Sequence, residues 1–169
     1  INADLYANQL NVITGRNEVD ADTLAATPKA DDGSTKPLLA VDSSALGGMY
    51  AGAIQLVGTE NGVGVRLAGD MATSAGDINI DANGQLSVAR IASSGDLNLA
   101  GQDINLAQGY ADGQVQLQAT ELLDITGSLA SGGSQTIQAE QFYNQGVIEA
   151  GIGLDGSRQP HADVVVTAD

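Results

Sequence analysis

Apolar residues in the second half of the chain recur at a step of 19 or close to it, in three parallel rows. Ile91, Tyr110, Leu129 and Ile148 are spaced by 19 residues throughout. Leu86, Ile104, Leu123 and Phe142 advance by 18, 19 and 19, and Ile78, Leu97 and Val115 by 19 and 18. No stretch this short can bury its own apolar face, so each repeat must stack on the one before, with the core between repeats. The fold class this dictates is all-β: a parallel β-helix, or solenoid, with coils of about 19 residues. Its hand is expected to be right, as for parallel crossovers generally.

Local motifs agree with the rows. Gly76-Asp-Ile-Asn-Ile80 returns as Gly95-Asp-Leu-Asn-Leu99 after 19 residues. A third copy, Asp103-Ile-Asn-Leu106, follows only 7 residues later, too soon for a new coil, and is read as the next side of the same coil. Short apolar-polar-apolar strands place alternate residues inward. Corners are expected at Glu60-Asn61-Gly62, Asn83-Gly84, Gly101-Gln102, Asp112-Gly113 and Gly132-Gly133, where Gly and Asn turn the chain easily. Seven or eight coils at ~4.8 Å per rung would make a rod of ~35–40 Å. Ala119 to Leu123 is the most helix-like segment, yet it lies in register with the strand rows. Asn79 and Asn98 occupy equivalent positions, where like side chains could form a hydrogen-bonded ladder or simply face water.

The first third is less regular. Leu10-Asn11-Val12 alternates like a strand, and Leu38 to Val41, Ile54 to Val57 and Val63 to Val65 read as further strands. Between Gly15 and Pro37 the pattern breaks into a polar, small-residue stretch containing Pro28 and Asp31-Asp32-Gly33-Ser34. That stretch is expected to be a loop or hairpin leaving the helix, with residues 1–169 otherwise one β-helix domain.

Composition narrows the function. Six basic residues against 21 acidic give a formal charge of −15, which disfavours nucleic acid and anionic membrane surfaces as partners. No apolar run approaches the ~20 residues of a membrane-spanning helix, so no membrane insertion is expected. With 3% aromatic residues and 43% hydrophobic, the core must be aliphatic. The absence of Cys removes disulfides, thiolate metal sites and a Cys nucleophile.

The search for chemistry finds little. Asp77 and Asp96 stand one coil apart, and Asp81 has Ala100 above it. Paired carboxylates could hold a cation or act as acid and base, but Asp also suits corners, and Arg90 is the only basic residue between Arg66 and Arg158. Ser157, His161 and Asp163 share one polar loop, unlike the distant segments that build a catalytic triad. Gly62 to Arg66 lacks the helix and Lys of a phosphate loop. The expectation is a non-enzymatic chain with no cofactor and no metal; the competing reading is a polysaccharide-active β-helix enzyme, lyase or hydrolase.

One segment carries a specific likeness. Ala45-Leu-Gly-Gly-Met-Tyr-Ala-Gly-Ala-Ile-Gln-Leu-Val-Gly-Thr-Glu-Asn-Gly-Val-Gly-Val-Arg66 closely resembles the haemagglutination-activity region of filamentous haemagglutinin-type exoproteins of two-partner secretion systems. That group includes adhesins and contact-dependent growth-inhibition proteins. Ala7 to Gly15 and the Gly-Asp-Ile-Asn-Ile repeats are similar to the same family. The resemblance implies a right-handed parallel β-helix, exported through a partner outer-membrane transporter barrel and then secreted or held at the bacterial surface. It also implies a receptor on a host or neighbouring cell. Leu46, Gly47, Gly48, Met49 and Tyr50 form the candidate motif, either a sharp corner with Met49 and Tyr50 packed beside it or a contact for the transporter. The family's secretion domain usually carries Asn-Pro-Asn motifs, which are missing between Ile1 and Asp169; either they lie upstream, which is the expectation, or this segment alone does not suffice for transporter recognition. A chain crossing an outer membrane unfolded also gains from having no Cys, since a premature disulfide would block the pore.

Overall fold

The computed structural model describes residues 1–169 in full, and every regular element is a strand. In chain order these are β1 (Leu5–Thr14), β2 (Asn17–Val19), β3 (Ala26–Pro28), β4 (Leu39–Ser43), β5 (Met49–Gly58), β6 (Gly64–Thr73) and β7 (Ile78–Ala82). They continue with β8 (Leu86–Ser93), β9 (Leu97–Ala111), β10 (Val115–Ser131), β11 (Gln135–Ala139), β12 (Gln141–Asn144), β13 (Val147–Ala150) and β14 (Val164–Ala168). Twelve of them form one sheet in which every pairing is parallel, wound as a β-solenoid of about six turns. No helix is long and apolar enough to cross a membrane.

Each turn has three sides, and the register shows them directly. On the second side Leu10, Ile54, Ile78, Leu97, Val115, Gln135 and Val164 lie one above another. On the third side the column is Val41, Val65, Leu86, Ile104, Leu123 and Phe142. These contain two of the rows expected from the sequence, and they extend both toward the N-terminus. Twenty-six buried residues, every one Ile, Leu, Val, Met or Ala, form one continuous core. The segment Ala119 to Leu123 runs inside β10, as strand.

The first side corrects the sequence reading. Its column is Leu5, Met49, Met71, Ile91, Gly109, Leu129 and Ile148, so Gly109, not Tyr110, lies in the row. The cause is a pair of bulges in β10. The offset to β9 is 18 residues at Ala119–Gly101, 19 at Leu122–Asp103 and 20 at Ser128–Gln108. Leu129 and Leu106 close over the space at Gly109, where a Cβ would lie 2.8 and 3.2 Å from them. A uniform step of 19 therefore averages a coil that gains one residue at each bulge.

Tyr110 is left on the outside, its hydroxyl donating to Asp112 Oδ1 at 2.7 Å. Partial burial and then the Asp112 carboxylate push its pKa up to about 12. A folded value above the unfolded one favours the folded state below about pH 10, and that benefit is lost as pH rises through about 12. Subtracting a Tyr110→Phe titration from the wild type should isolate a tyrosinate absorbance step near pH 12. A step near the ordinary value of about 10 would contradict the packing described.

Gly101-Gln102 turns the corner between the second side and the third, as expected, but without interrupting β9, because pairing with β10 continues across it through the first bulge. The length of the rod differs from the expectation. The turns number about six, for a rod of ~30 Å, because coils at the two ends are longer. The step along the second side is 44 residues from Leu10 to Ile54 and 24 from Ile54 to Ile78. It then settles to 19, 18 and 20 before rising to 29 between Gln135 and Val164. The first excess is the excursion, in which β2 and β3 pair antiparallel as a separate hairpin. The last is a loop around residues 151–163, closed by a single bridge from Ile152 to Arg158.

The corners explain the aspartates. Asp77 Oδ1 accepts the Asp96 amide at 2.8 Å, and Asp96 Oδ1 accepts the Gln114 amide at 2.7 Å. Each carboxylate satisfies a backbone donor one coil on, in a place where the ladder turns away. Gly95 and Gly113 follow from this, since a Cβ at either would run into the carboxylate oxygen of Asp77 or Asp96. The Asn79–Asn98 ladder also forms, with Asn98 Nδ2 donating to Asn79 Oδ1 at 2.8 Å.

Candidate functional site

The Leu46-Gly47-Gly48-Met49-Tyr50 motif turns the corner into β5, where the first coil lies against the second. Met49 points into the core and is fully buried, continuing the first-side column. Tyr50, the next residue, must point outward. Its ring folds back along the strand over Gly48, where a Cβ would sit 2.6 Å from the ring. Only a glycine at 48 lets the ring lie flat there. Gly47 is required for a different reason: the Ile1 carbonyl of the preceding coil occupies the place of its Cβ.

Residues outside the motif complete the site. Tyr6 stacks on Tyr50 with ring centroids 5.2 Å apart and planes inclined by 18°, a geometry that adds to simple area burial. Asp4 ties the corner together, its Oδ1 accepting the Gly48 amide at 2.9 Å and its Oδ2 the Tyr6 hydroxyl at 3.1 Å. The Asp4 hydrogen bond, helped by its charge, holds the Tyr6 hydroxyl above its ordinary pKa. Leu5 N donates to the Gly48 carbonyl at 2.9 Å. Beneath, Asp42 and Arg66 join the first two coils on the third side through two hydrogen bonds of 2.8 and 2.9 Å. Arg66 keeps the Asp42 carboxyl below its usual range. The corner is thus rigid, yet it presents Tyr6 at 74% and Leu46 at 79% exposure. Sequence reading missed Asp4 and Tyr6. Their signal was present: Tyr6 precedes Tyr50 by the same 44 residues that separate Leu10 from Ile54.

The other candidates do not assemble. Asp77 and Asp96 are committed to backbone amides, as above. Neither Ser157 nor Asp163 hydrogen-bonds to His161, which sits exposed at a φ of +65°. No three His, Asp or Glu side chains are grouped to hold a metal ion. What the fold and the corner define is a stacked, surface-presenting solenoid scaffold with one apolar, aromatic corner near its N-terminal end.

Comparison with known proteins makes the class particular. The TPS secretion domain family matches residues 1–88, and the haemagglutinin repeat family matches residues 74–112 and 103–169. The change from one to the other falls inside an uninterrupted stack. A toxin CdiA of Yersinia pestis is 55% identical over 51% of this chain and 3% of its own. A tRNA nuclease CdiA of Yersinia mollaretii is 36% identical over 93% of this chain and 6% of its own. A tRNA nuclease CdiA of Escherichia coli strain NC101 is 40% identical over 67% of this chain and 3% of its own. No solved structure matches. The chain belongs to the exoproteins of two-partner secretion systems, as their β-helical secretion and haemagglutinin-repeat region. Proteins of this group are exported and displayed at the cell surface. The chain spans between 3% and 6% of the length of these curated relatives.

Proposed function

We propose that this segment is a non-catalytic export and display module. It would engage a partner outer-membrane barrel through the Leu46–Tyr50 corner, then serve as the shaft that holds adhesive or toxin-bearing regions away from the cell. The observation that carries this reading is the pairing pattern: each coil bonds only to its immediate neighbours. A chain threading outward can therefore fold coil by coil as it emerges. A few kcal/mol per emerged segment, within the ~5–15 kcal/mol typical of a domain, is enough to oppose backsliding.

The nuclease names of the relatives describe whole chains of which this segment matches a few per cent, and no acid–base cluster is assembled here to support an enzymatic reading. The hairpin at residues 15–37 is the proposed contact for a receptor on a host or neighbouring cell. It pairs as its own two-stranded sheet against the corner at Thr59 to Asn61 and carries Arg16, Lys29 and Lys36, half of the chain's six basic residues.

The test is secretion. The segment, joined to a signal peptide and its native upstream region, is expressed with and without the partner barrel, and the medium is assayed. Release should depend on the barrel. Leu46→Asp should reduce release about tenfold, the equivalent of one lost leucine contact of ~1.5 kcal/mol, while leaving the purified fold unchanged. Release without the barrel would overturn the export reading. Full release of Leu46→Asp would remove the corner from it.

A further inference from the structure

We propose that the outer face of the second side is a groove for an unbranched, uncharged β-linked hexose polymer lying along the rod axis. Two outward columns line it. One holds Gln55, Asn79, Asn98 and Gln116; the other holds Val57, Asp81, Ala100 and Gln118. Ala100 lies between Asp81 and Gln118 in its column, so the surface dips there. The depression runs across four coils and continues past Gly101 to Gln102 and Glu121.

Three features point to a neutral sugar chain. First, the groove offers hydrogen-bonding groups of both kinds without using them up. Its internal side-chain bonds are Asn98 to Asn79 at 2.8 Å and Gln102 to Glu121 at 2.7 Å. Gln55, Gln116, Gln118 and Asp81 remain free, and each amide presents donor and acceptor together, as each sugar hydroxyl does. Second, the amides recur once per rung, at ~4.8 Å, close to the advance of one hexose in an extended β-linked chain. Successive sugars would meet successive equivalent amides, their C–H faces lying on Val57 and Ala100. Third, the face carries no cation. Arg16, Lys29 and Lys36 are in the hairpin segment, Arg66 and Arg90 pair with acids on the other two sides, and Arg158 is in the C-terminal loop. With Asp81 and Glu121 exposed there, uronate, sulfated and phosphorylated polymers are repelled.

This inference does not depend on the export reading, because the test uses the purified, folded segment. Cellohexaose is titrated by calorimetry and by NMR, with β-1,4-linked hexamannuronate as the charged counterpart. Cellohexaose should bind with a Kd on the order of 1 mM or below, and hexamannuronate should not bind. Ala100→Lys fills the dip from an outward position and should weaken binding about tenfold with an unchanged melting temperature. Gln116→Ala, also outward and exposed, should weaken it several-fold and serves if the first variant melts early. No binding of cellohexaose at millimolar concentration would overturn the proposal. So would equal binding of hexamannuronate, or unchanged affinity in a folded Ala100→Lys or Gln116→Ala variant.

Discussion

Leu123→Ala is expected to lower the unfolding free energy by about 3 kcal/mol, within the 2–5 kcal/mol range for truncating a buried leucine. Leu123 is completely buried and pairs with Ile104 on one side and Phe142 on the other. Each neighbouring coil has a fixed strand spacing, so the rod cannot collapse to fill the hole. At roughly 2–4 °C per kcal/mol for a chain of this size, the melting temperature should drop by roughly 6–12 °C. Tyr143, one strand position beyond Phe142 and facing outward at 57% exposure, supplies the comparison: Tyr143→Ala should stay within about 0.5 kcal/mol. Urea unfolding of both variants decides the matter. A cost below about 1 kcal/mol for Leu123→Ala would mean that the third side is not the core it is described to be.

Gly146→Ala should be as damaging, by about 3 kcal/mol, although it adds a single methyl. The carbonyl of Gly127, one coil back, occupies the position its Cβ would take, and the Ala107 carbonyl stands in the same relation to Gly127. This corner is a column of backbone packed against backbone, and no side chain can swing aside to make room. Gly58→Ala gives the opposite sign. There the nearest atom to an added Cβ is Thr14 Oγ1 at 3.5 Å, an ordinary contact, and φ is not positive. Restricting the unfolded chain should then stabilise the protein by about 0.4–1 kcal/mol. Thermal unfolding that showed the two substitutions to be equivalent would contradict the close approach at Gly146.

The fold was legible wherever the coil length is constant. From Ile78 to Phe142 the rows lie open to a reader of the sequence, since a buried position must meet its equivalent one coil on. Tyr110 was misplaced because a bulge is a backbone event with no fixed residue signature, and a tyrosine looks more like a core residue than Gly109 does. Gln135 was invisible for the converse reason. It occupies the second-side row, completely buried, with Nε2 donating to Ser131 Oγ at 2.9 Å and to the Glu149 carbonyl at 2.8 Å. Its Oε1 finds no partner. A polar residue carries no periodic apolar signal, so the row can be read from the sequence only as far as Val115. At the candidate site, Gly47, Gly48, Met49 and Tyr50 were legible as a motif. Asp4 and Tyr6 were not, because the hairpin doubles the distance to their partners and hides the register.

The direction of the ladder also has a mechanical meaning. In a parallel solenoid the hydrogen bonds between coils point along the rod, so a pull on its two ends loads them in line and opens one rung before the next. Each coil of 18 to 20 residues stores ~60–70 Å of extended chain in a rise of ~4.8 Å. A rod anchored at one end and loaded at the other is therefore a spool. Every coil that lets go pays out more than ten rungs of slack, so a rod pulled at its two ends should lengthen by releasing coils one after another.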